Sequence, residues 1–199
     1  MDQLYKQHLE GESDSFDQPA ALFLDRDGTL IEHIRYLHDP KKVRLFSGVR
    51  SALQSAQYAG VRLFLHTNQS GVSRGYFTLE DAIACNDRMF SLLNLEKPFD
   101  GTKICTESSA EQPVYRKPSP RYILEMIQLH RLDVERCVMI GDSRSDMEAG
   151  MHAKINVIAV RGGAGDSEDP DWPAFLEAHG IPQFQSADTA IRAALERIQ

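Results

Sequence analysis

Short apolar runs recur along this chain, and stretches with helical periodicity separate them. The clearest runs are residues 22–24, 61–66, 137–140 and 155–160, with a further short one at 103–105. Between them, apolar residues recur at the three- and four-residue spacing of an amphipathic helix, as they also do over residues 190–198. Strands that alternate with helices are typical of a parallel sheet with crossover connections. The sequence therefore predicts an α/β protein with a central, mostly parallel sheet and helices on both faces.

Composition narrows the class of protein and its partners. The 199 residues can bury one sizeable core, and their net charge of −7 argues against nucleic acid or an anionic membrane as a partner. No apolar run is long enough to cross a bilayer, and residues 1–17 lack the layout of a signal peptide. Three widely spaced cysteines fit reduced thiols better than a disulfide framework. We expect a cytoplasmic protein with a loosely ordered extension over residues 1–17 and a single domain over residues 18–199.

Two carboxylates, Asp25 and Asp27, stand where the first predicted strand ends. Ligands of open α/β sheets bind at the carboxyl ends of the strands. Residues two apart in an extended chain point the same way, and close carboxylates repel each other unless a cation or a shared proton lies between them. A hard divalent ion such as Mg²⁺ would supply that charge. Taken alone, the pair fits a metal site or an ordinary acidic turn.

Polar residues follow two more of the apolar runs, and a lysine precedes a later helix. These residues are Thr67 with Asn68, Asp142 with Ser143, and Lys117. Phosphoryl transfer requires a nucleophile, a proton donor for the leaving group, a cation and donors to the phosphoryl oxygens. A carboxylate can be the nucleophile by forming an aspartyl-phosphate. The carboxylates, hydroxyl groups and lysine at these positions are therefore typical of a phosphoryl-transfer site.

Four motifs occur in a fixed order over residues 22–160: Asp25-x-Asp27-Gly28-Thr29, Thr67-Asn68, Lys117-Pro118 and Gly141-Asp142-Ser143-x-x-Asp146. This order resembles the haloacid dehalogenase (HAD) superfamily of phosphatases. The longer strings over residues 25–29, 67–75 and 116–118 are similar to the branch of heptose bisphosphate and histidinol-phosphate phosphatases, and residues 69–71 and 74–77 favour the heptose side. The resemblance implies a Rossmann-like HAD fold. The spans 30–61 and 73–104 hold ordinary crossover elements, so no large cap domain is expected.

The resemblance implies a role for each motif residue. Asp25 would be the nucleophile, and Asp27 the general acid toward the leaving oxygen and then the base that activates water. Lys117 would neutralise charge in the transition state. Mg²⁺ would be held by the Asp25 carboxylate, the Asp27 backbone carbonyl and Asp142. Asp146 would orient Lys117 or a metal-bound water, or serve only at the start of its helix.

Substrate contacts are also implied by the resemblance. Thr67 and Asn68 would donate hydrogen bonds to the phosphoryl group, and Arg116 would hold the substrate. Further candidate contacts are Arg26, Gln69 and Ser70. Four more, which could instead be ordinary surface-loop residues, are His33, Arg35, Tyr36 and Arg74. His66, inside an apolar run, is expected to be a core histidine rather than a catalyst.

One departure from the branch concerns its zinc loop, a C-x-H pattern followed by C-x-C before the Arg-Lys-Pro string. Cys105 is present, but Glu107 stands at the histidine position, and Pro113 and Tyr115 stand at the last two cysteine positions. A single thiolate cannot make a tetrahedral zinc site, so no zinc is expected. Because the loop flanks the substrate entrance, its replacement leaves the sugar identity open.

The leading hypothesis is a monomeric, Mg²⁺-dependent phosphatase acting through an aspartyl-phosphate. Its substrate would be a small sugar phosphate such as D-glycero-D-manno-heptose 1,7-bisphosphate. The alternatives are a histidinol-phosphate or polynucleotide 3′-phosphatase and, from another class, a receiver-like signalling module whose phosphoaspartate persists. Asp27 argues against the receiver, because an acid/base two residues from the nucleophile would hydrolyse the intermediate.

Overall fold

Parallel strands form one six-stranded sheet in the computed structural model, which describes residues 20–108, 110, 112–163 and 168–198. The strands are β1 (Ala21–Leu24), β2 (Arg62–Asn68), β3 (Gly101–Cys105), β4 (Cys137–Gly141), β5 (Asn156–Val160) and β6 (Gln183–Phe184). Their order across the sheet is β3-β2-β1-β4-β5-β6, and each neighbouring pair is parallel. The prediction of a parallel α/β sheet is confirmed.

Helices cover both faces of this sheet. They are α1 (Val49–Tyr58), α2 (Leu79–Leu93), α3 (Arg121–His130), α4 (Arg144–His152), α5 (Trp172–His179) and α6 (Ala187–Ile198), with 3₁₀ turns at Pro40–Lys42 and Val134–Arg136. Helices α1, α2 and α6 pack on one face, and α3, α4 and α5 pack on the other. The Rossmann-like arrangement without a large cap domain is confirmed for the described part of the chain.

The central position of β1 follows from its sequence. Leu22 and Leu24 pack toward α1, α2 and α6, whereas Ala21 and Phe23 pack toward α3 and α4. A strand buried on both faces has to be apolar throughout, as β1 is. Its neighbours are β2 and β4, so the residue that follows β1, Asp25, lies at the middle of the carboxyl edge of the sheet.

All three cysteines are buried, unpaired thiols, as expected from the sequence. Burial raises the pKa of Cys105 to about 11 and that of Cys137 to about 12, and it also raises the pKa of Cys85. A thiol with a raised pKa is scarcely ionised at neutral pH and is therefore a poor nucleophile.

The N-terminal extension predicted over residues 1–17 lies outside the described residues. The division into an extension and one domain over residues 18–199 therefore stays a prediction. Among the helices that are described, none is long and apolar enough to span a membrane.

Candidate active site

A buried cluster of opposite charges lies where β1 and β4 end. The Nζ atom of Lys117 is 2.5 Å from Oδ1 of Asp25 and 2.5 Å from Oδ1 of Asp146. Burial raises the pKa of Asp25 to about 7, and the Lys117 ammonium opposes that shift. Burial alone would lower the pKa of Lys117, but the carboxylates of Asp146 and Asp25 outweigh it and raise the pKa above its ordinary value. The lysine therefore stays charged within the protein interior.

The start of α4 determines the direction of the Asp146 carboxylate. Its Oδ2 atom accepts hydrogen bonds from the backbone N–H (3.0 Å) and the hydroxyl (2.7 Å) of Ser143 in a capping box. Its Oδ1 atom is then turned toward Lys117. A Cβ atom at Gly141 would lie 2.4 Å from this carboxylate, so only glycine permits the close approach. Asp146 thus makes the contacts of both roles that the sequence left open, with the start of its own helix and with Lys117.

Asp27 has different surroundings from Asp25, although only one residue separates them. Its carboxylate accepts hydrogen bonds from Nε (3.0 Å) and Nη2 (3.1 Å) of Arg26 and from Nε2 of Gln69 (2.8 Å). The chain turns back directly after it, because Gly28 has a φ of +82° that suits glycine. The two carboxylates therefore reach different partners, Asp25 the buried lysine and Asp27 the amide of Gln69.

Three carboxylates lie close enough together to hold a cation. Oxygen atoms of Asp25, Asp142 and Asp146 all lie within 4.8 Å of one another. Cβ atoms at Gly28 and Gly163 would fall 2.4 Å and 1.8 Å from Oδ2 of Asp142, so the two glycines make room for that side chain. A set of carboxylate oxygens with net negative charge fits a hard divalent cation such as Mg²⁺.

Asn68 anchors the segment that carries Lys117. Its Oδ1 atom accepts the Lys117 backbone N–H (3.0 Å), and its Nδ2 atom donates to the Lys117 carbonyl (3.1 Å). The neighbouring Thr67 hydroxyl accepts from Nε2 of Gln69 (2.9 Å), which leaves its proton for another acceptor. The Asn68 amide thus engages the protein backbone, a contact that the sequence did not reveal, whereas Thr67 keeps a hydroxyl proton to donate.

Arg26 lies beneath the site, and the structure does not place it in the cleft. Its side chain is fully buried, and its Nη1 atom donates to Oδ1 of Asn86 on α2 (2.8 Å) while the rest of the guanidinium binds Asp27. The guanidinium therefore bridges the Asp27 carboxylate and the Asn86 side chain of α2. The structure therefore gives Arg26 the contacts of an anchor for Asp27, where the sequence predicted a substrate contact.

A cleft of about 400 Å³ opens beside Asp27. Its lining contains most of the predicted substrate contacts, namely His33, Arg35, Tyr36, Asn68, Gln69, Ser70, Arg74 and Arg116. Ser145 and Glu168, which the sequence did not single out, also line the cleft. Arg74 donates to the Tyr36 hydroxyl (2.9 Å), and the ring of Tyr36 packs edge-on against Tyr76. Three arginines on the lining attract anionic substrates. Arg35 was a candidate because of its position in the loop after the first motif, whereas no sequence signal pointed to Ser145 or Glu168.

His66 is buried in β2, as expected for a core histidine. Its Nε2 atom lies 2.9 Å from the carbonyl oxygen of Tyr115. Burial lowers the pKa of His66 to about 3, and the nearby charge of Lys117 acts in the same direction. The folded protein therefore keeps this ring neutral at pH values where an unfolded chain would protonate it.

The difference between the pKa of His66 in the folded protein and in the unfolded chain predicts a loss of stability in acid. The stabilising effect of a neutral His66 is complete above about pH 6.5, the ordinary histidine pKa, and is lost as the pH falls toward 3. Over this range the free energy of unfolding should fall by up to about 1.4 kcal/mol per pH unit more in the unaltered protein than in His66→Gln. Urea unfolding of both proteins between pH 7 and pH 4.5 measures the difference. Parallel pH profiles would contradict the assignment.

Comparisons with known proteins place this chain in a family and match its fold. Residues 9–160 match the family of haloacid dehalogenase-like hydrolases. The D-glycero-beta-D-manno-heptose-1,7-bisphosphate 7-phosphatase of Helicobacter pylori (strain J99) is 38% identical over 137 residues, which cover 68% of this chain and 79% of that protein. Its counterpart from Haemophilus influenzae is 34% identical over 172 residues, 82% of this chain and 89% of that protein. A crystal structure of D,D-heptose 1,7-bisphosphate phosphatase from B. bronchiseptica, complexed with magnesium and phosphate, matches the fold with a TM-score of 0.76 at 22% identity, covering 89% of this chain and 98% of that one.

The fold and the charged cluster fit an enzyme of the phosphatase class, and the family and the named relatives show it: the chain is a phosphoric monoester hydrolase. The chain belongs to the haloacid dehalogenase-like hydrolase family. The resemblance found in the four motifs is confirmed by the matched family and by the named phosphatases among its relatives.

Proposed function

We propose that this phosphatase hydrolyses a small sugar phosphate, D-glycero-D-manno-heptose 1,7-bisphosphate or a close analogue. The observation that carries the proposal is the buried contact of Asp25 with Lys117 beside a cleft lined by arginines. A carboxylate, a fixed cation and an anion-attracting cleft are what phosphoryl transfer from a sugar requires. The activity named for the relatives from Helicobacter pylori and Haemophilus influenzae supports this choice of sugar.

Hydrolysis would proceed in two displacements at phosphorus, with Asp25 as the nucleophile of the first. In the first, an Asp25 oxygen bonds to phosphorus, the bond to the sugar oxygen breaks, and Asp27 gives that oxygen its proton. In the second, Asp27 takes a proton from water, the water oxygen bonds to phosphorus, and the bond from phosphorus to the Asp25 oxygen breaks, which releases inorganic phosphate and restores the free carboxylate. Arg26 and Gln69 hold Asp27 in place, and the Lys117 ammonium offsets the charge that develops near Asp25.

Mg²⁺ is the cation that we propose for the acidic cluster, held by Asp25, the Asp27 carbonyl and Asp142. When bound, it would offset negative charge on the transferred phosphoryl group. We propose no structural zinc, since in the described part of the loop Cys105 donates to the Tyr115 carbonyl and Glu107 binds backbone N–H groups. Elemental analysis of the purified protein should then find no stoichiometric zinc.

The alternative functions have weaker support. A polynucleotide substrate would face a chain with a net charge of −7. A histidinol phosphate, which has one phosphoryl group, would make less use of the three arginines on the cleft lining than a bisphosphate would. A receiver-like module would need a lasting phosphoaspartate, whereas Asp27 lies on the cleft lining in reach of the reaction. We retain the sequence-based expectation of a monomeric, cytoplasmic enzyme as part of the proposal.

Release of inorganic phosphate tests the proposed function. The purified protein with Mg²⁺ would be assayed on the heptose bisphosphate, histidinol phosphate, a 3′-phosphorylated oligonucleotide and para-nitrophenyl phosphate. We expect kcat/KM to be highest for the heptose bisphosphate and to collapse when a chelator removes the metal. An equal or higher kcat/KM for histidinol phosphate or the oligonucleotide would reject the sugar assignment.

A further inference from the structure

The carboxylate of Glu107 accepts hydrogen bonds from three consecutive backbone N–H groups. The donors are Val114 (2.9 Å), Tyr115 (3.0 Å) and Arg116 (2.9 Å). Glu107 lies just after β3, and the donors lie just before the Lys117 motif, so the bonds join the two ends of the β3–α3 connection. Burial opposes ionisation of Glu107, but these N–H groups lower its pKa below the ordinary value. The carboxylate is therefore charged when it holds the loop.

Every backbone N–H and carbonyl group of residues 114–117 makes a hydrogen bond. Beyond the bonds to Glu107, the Val114 carbonyl accepts from the Ser119 hydroxyl, and the Arg116 carbonyl accepts from the Ser119 N–H. The Tyr115 carbonyl accepts from Cys105 and faces the ring nitrogen of His66. Asn68 binds both backbone groups of Lys117. A single side chain, Glu107, thus accounts for all three N–H bonds on the N-terminal side of Lys117.

Arg116 depends on Glu107 more than Lys117 does. Lys117 has its own anchors in Asn68 and in the carboxylates of Asp25 and Asp146. The Arg116 N–H, by contrast, is bonded to Glu107, and its guanidinium lines the cleft. The Nε atom of Arg116 is buried and has no hydrogen-bond partner among the described residues. Loss of the tether at Glu107 would therefore displace a cleft-lining cation before it disturbed the reacting groups.

We propose that Glu107 is a positioning residue that sets substrate specificity, because its carboxylate fixes the backbone from which Arg116 reaches into the cleft. The inference rests on the proposed function and adds to it that Arg116, on the cleft lining, contacts the part of the substrate beyond the transferred phosphoryl group. A carboxylate bound to backbone N–H groups does here what a crosslink would do, and it uses no metal. Glu107 would therefore affect how the distal part of the substrate binds, and it would leave the reaction at Asp25 unaffected.

Steady-state kinetics of Glu107→Ala and Glu107→Gln test this separation. We expect KM for the heptose bisphosphate to rise about tenfold, the equivalent of 1.4 kcal/mol, while kcat changes by less than about twofold. KM and kcat for para-nitrophenyl phosphate, which has no distal anionic group, should stay close to those of the unaltered protein. Glu125→Gln is the matched control, since Glu125 also contacts residue 115 but through the Tyr115 side-chain hydroxyl. It should leave KM for both substrates unchanged.

The proposal would be overturned by an equal fall in kcat/KM for both substrates, or by an unchanged KM for the heptose bisphosphate. A second measurement begins with the unaltered protein, so that its first result does not depend on a variant folding. Amide hydrogen exchange should show the N–H groups of Val114, Tyr115 and Arg116 protected, and Glu107→Gln should exchange them at least tenfold faster. Unprotected amides in the unaltered protein would reject the tether. If the unaltered protein fails to hydrolyse the bisphosphate, the proposed function fails, and the exchange result still decides whether Glu107 holds the loop.

Discussion

Replacing Asp25 by Asn should lower kcat by about 10⁴-fold or more, since the amide has no nucleophilic oxygen to form the intermediate. The change is nearly isosteric, and Lys117 keeps its contact with Asp146, so the fold should persist. Burial already disfavours the charge of Asp25, which means that a neutral amide adds no desolvation cost. Phosphate release from the heptose bisphosphate and from para-nitrophenyl phosphate measures the loss.

The matched control for this variant is Asp87→Asn. Asp87 is an exposed aspartate on α2 and does not line the cleft, so its kcat should equal that of the unaltered protein. Thermal unfolding of both variants should show that Asp25→Asn is folded. Turnover of Asp25→Asn within tenfold of the unaltered rate would exclude Asp25 as the nucleophile and, with it, the proposed two-step reaction.

Replacing Lys117 by Met should produce the largest loss of stability, about 3–5 kcal/mol in the free energy of unfolding. Methionine has a similar length but no charge, so the carboxylates of Asp25 and Asp146 would face each other in the interior without a cation between them. The same change should abolish turnover, because the ammonium that offsets charge near Asp25 is gone. Urea unfolding and phosphate release measure the two losses.

Two comparisons distinguish charge repulsion from a packing defect. The double variant Lys117→Met with Asp146→Asn should recover a large part of the lost stability and none of the activity, because it relieves the repulsion only. Lys42→Met, at an exposed lysine, should change neither property. A double variant that is less stable than Lys117→Met would show that packing, and not repulsion between carboxylates, causes the loss.

The strands that form the site were predictable because they are buried on both faces. β1 and β4 consist of continuous apolar residues, a pattern that is hard to mistake in a short segment. β6 escaped prediction because Gln183–Phe184 is too short to show a period. Helix α5 was also missed, although its buried Trp172, Phe175 and Leu176 have helical spacing, because it follows directly on the acidic 162–171 segment.

Within the site, the order of the motifs predicted which residues meet but not where each side chain points. Asp25, Lys117 and Asp142 come together because parallel strands end at one edge of the sheet. The burial of Arg26 goes with its hydrogen bond to Asn86 on α2, and the use of the Asn68 amide depends on the path of the loop that carries Lys117. Such contacts link residues far apart in sequence, so local patterns do not reveal them.

The buried cysteines have a consequence for the durability of the enzyme in oxidising surroundings. A cysteine is readily oxidised as the thiolate and not as the protonated thiol. The raised pKa values of Cys85, Cys105 and Cys137 keep all three protonated. The loop beside the cleft is held by the carboxylate of Glu107, a group that peroxide does not attack. An oxidant can release a metal that thiolates hold in a loop of this kind. In the described part of this loop the thiol of Cys105 is protonated and Glu107 makes the contacts, so oxidation should not release the loop.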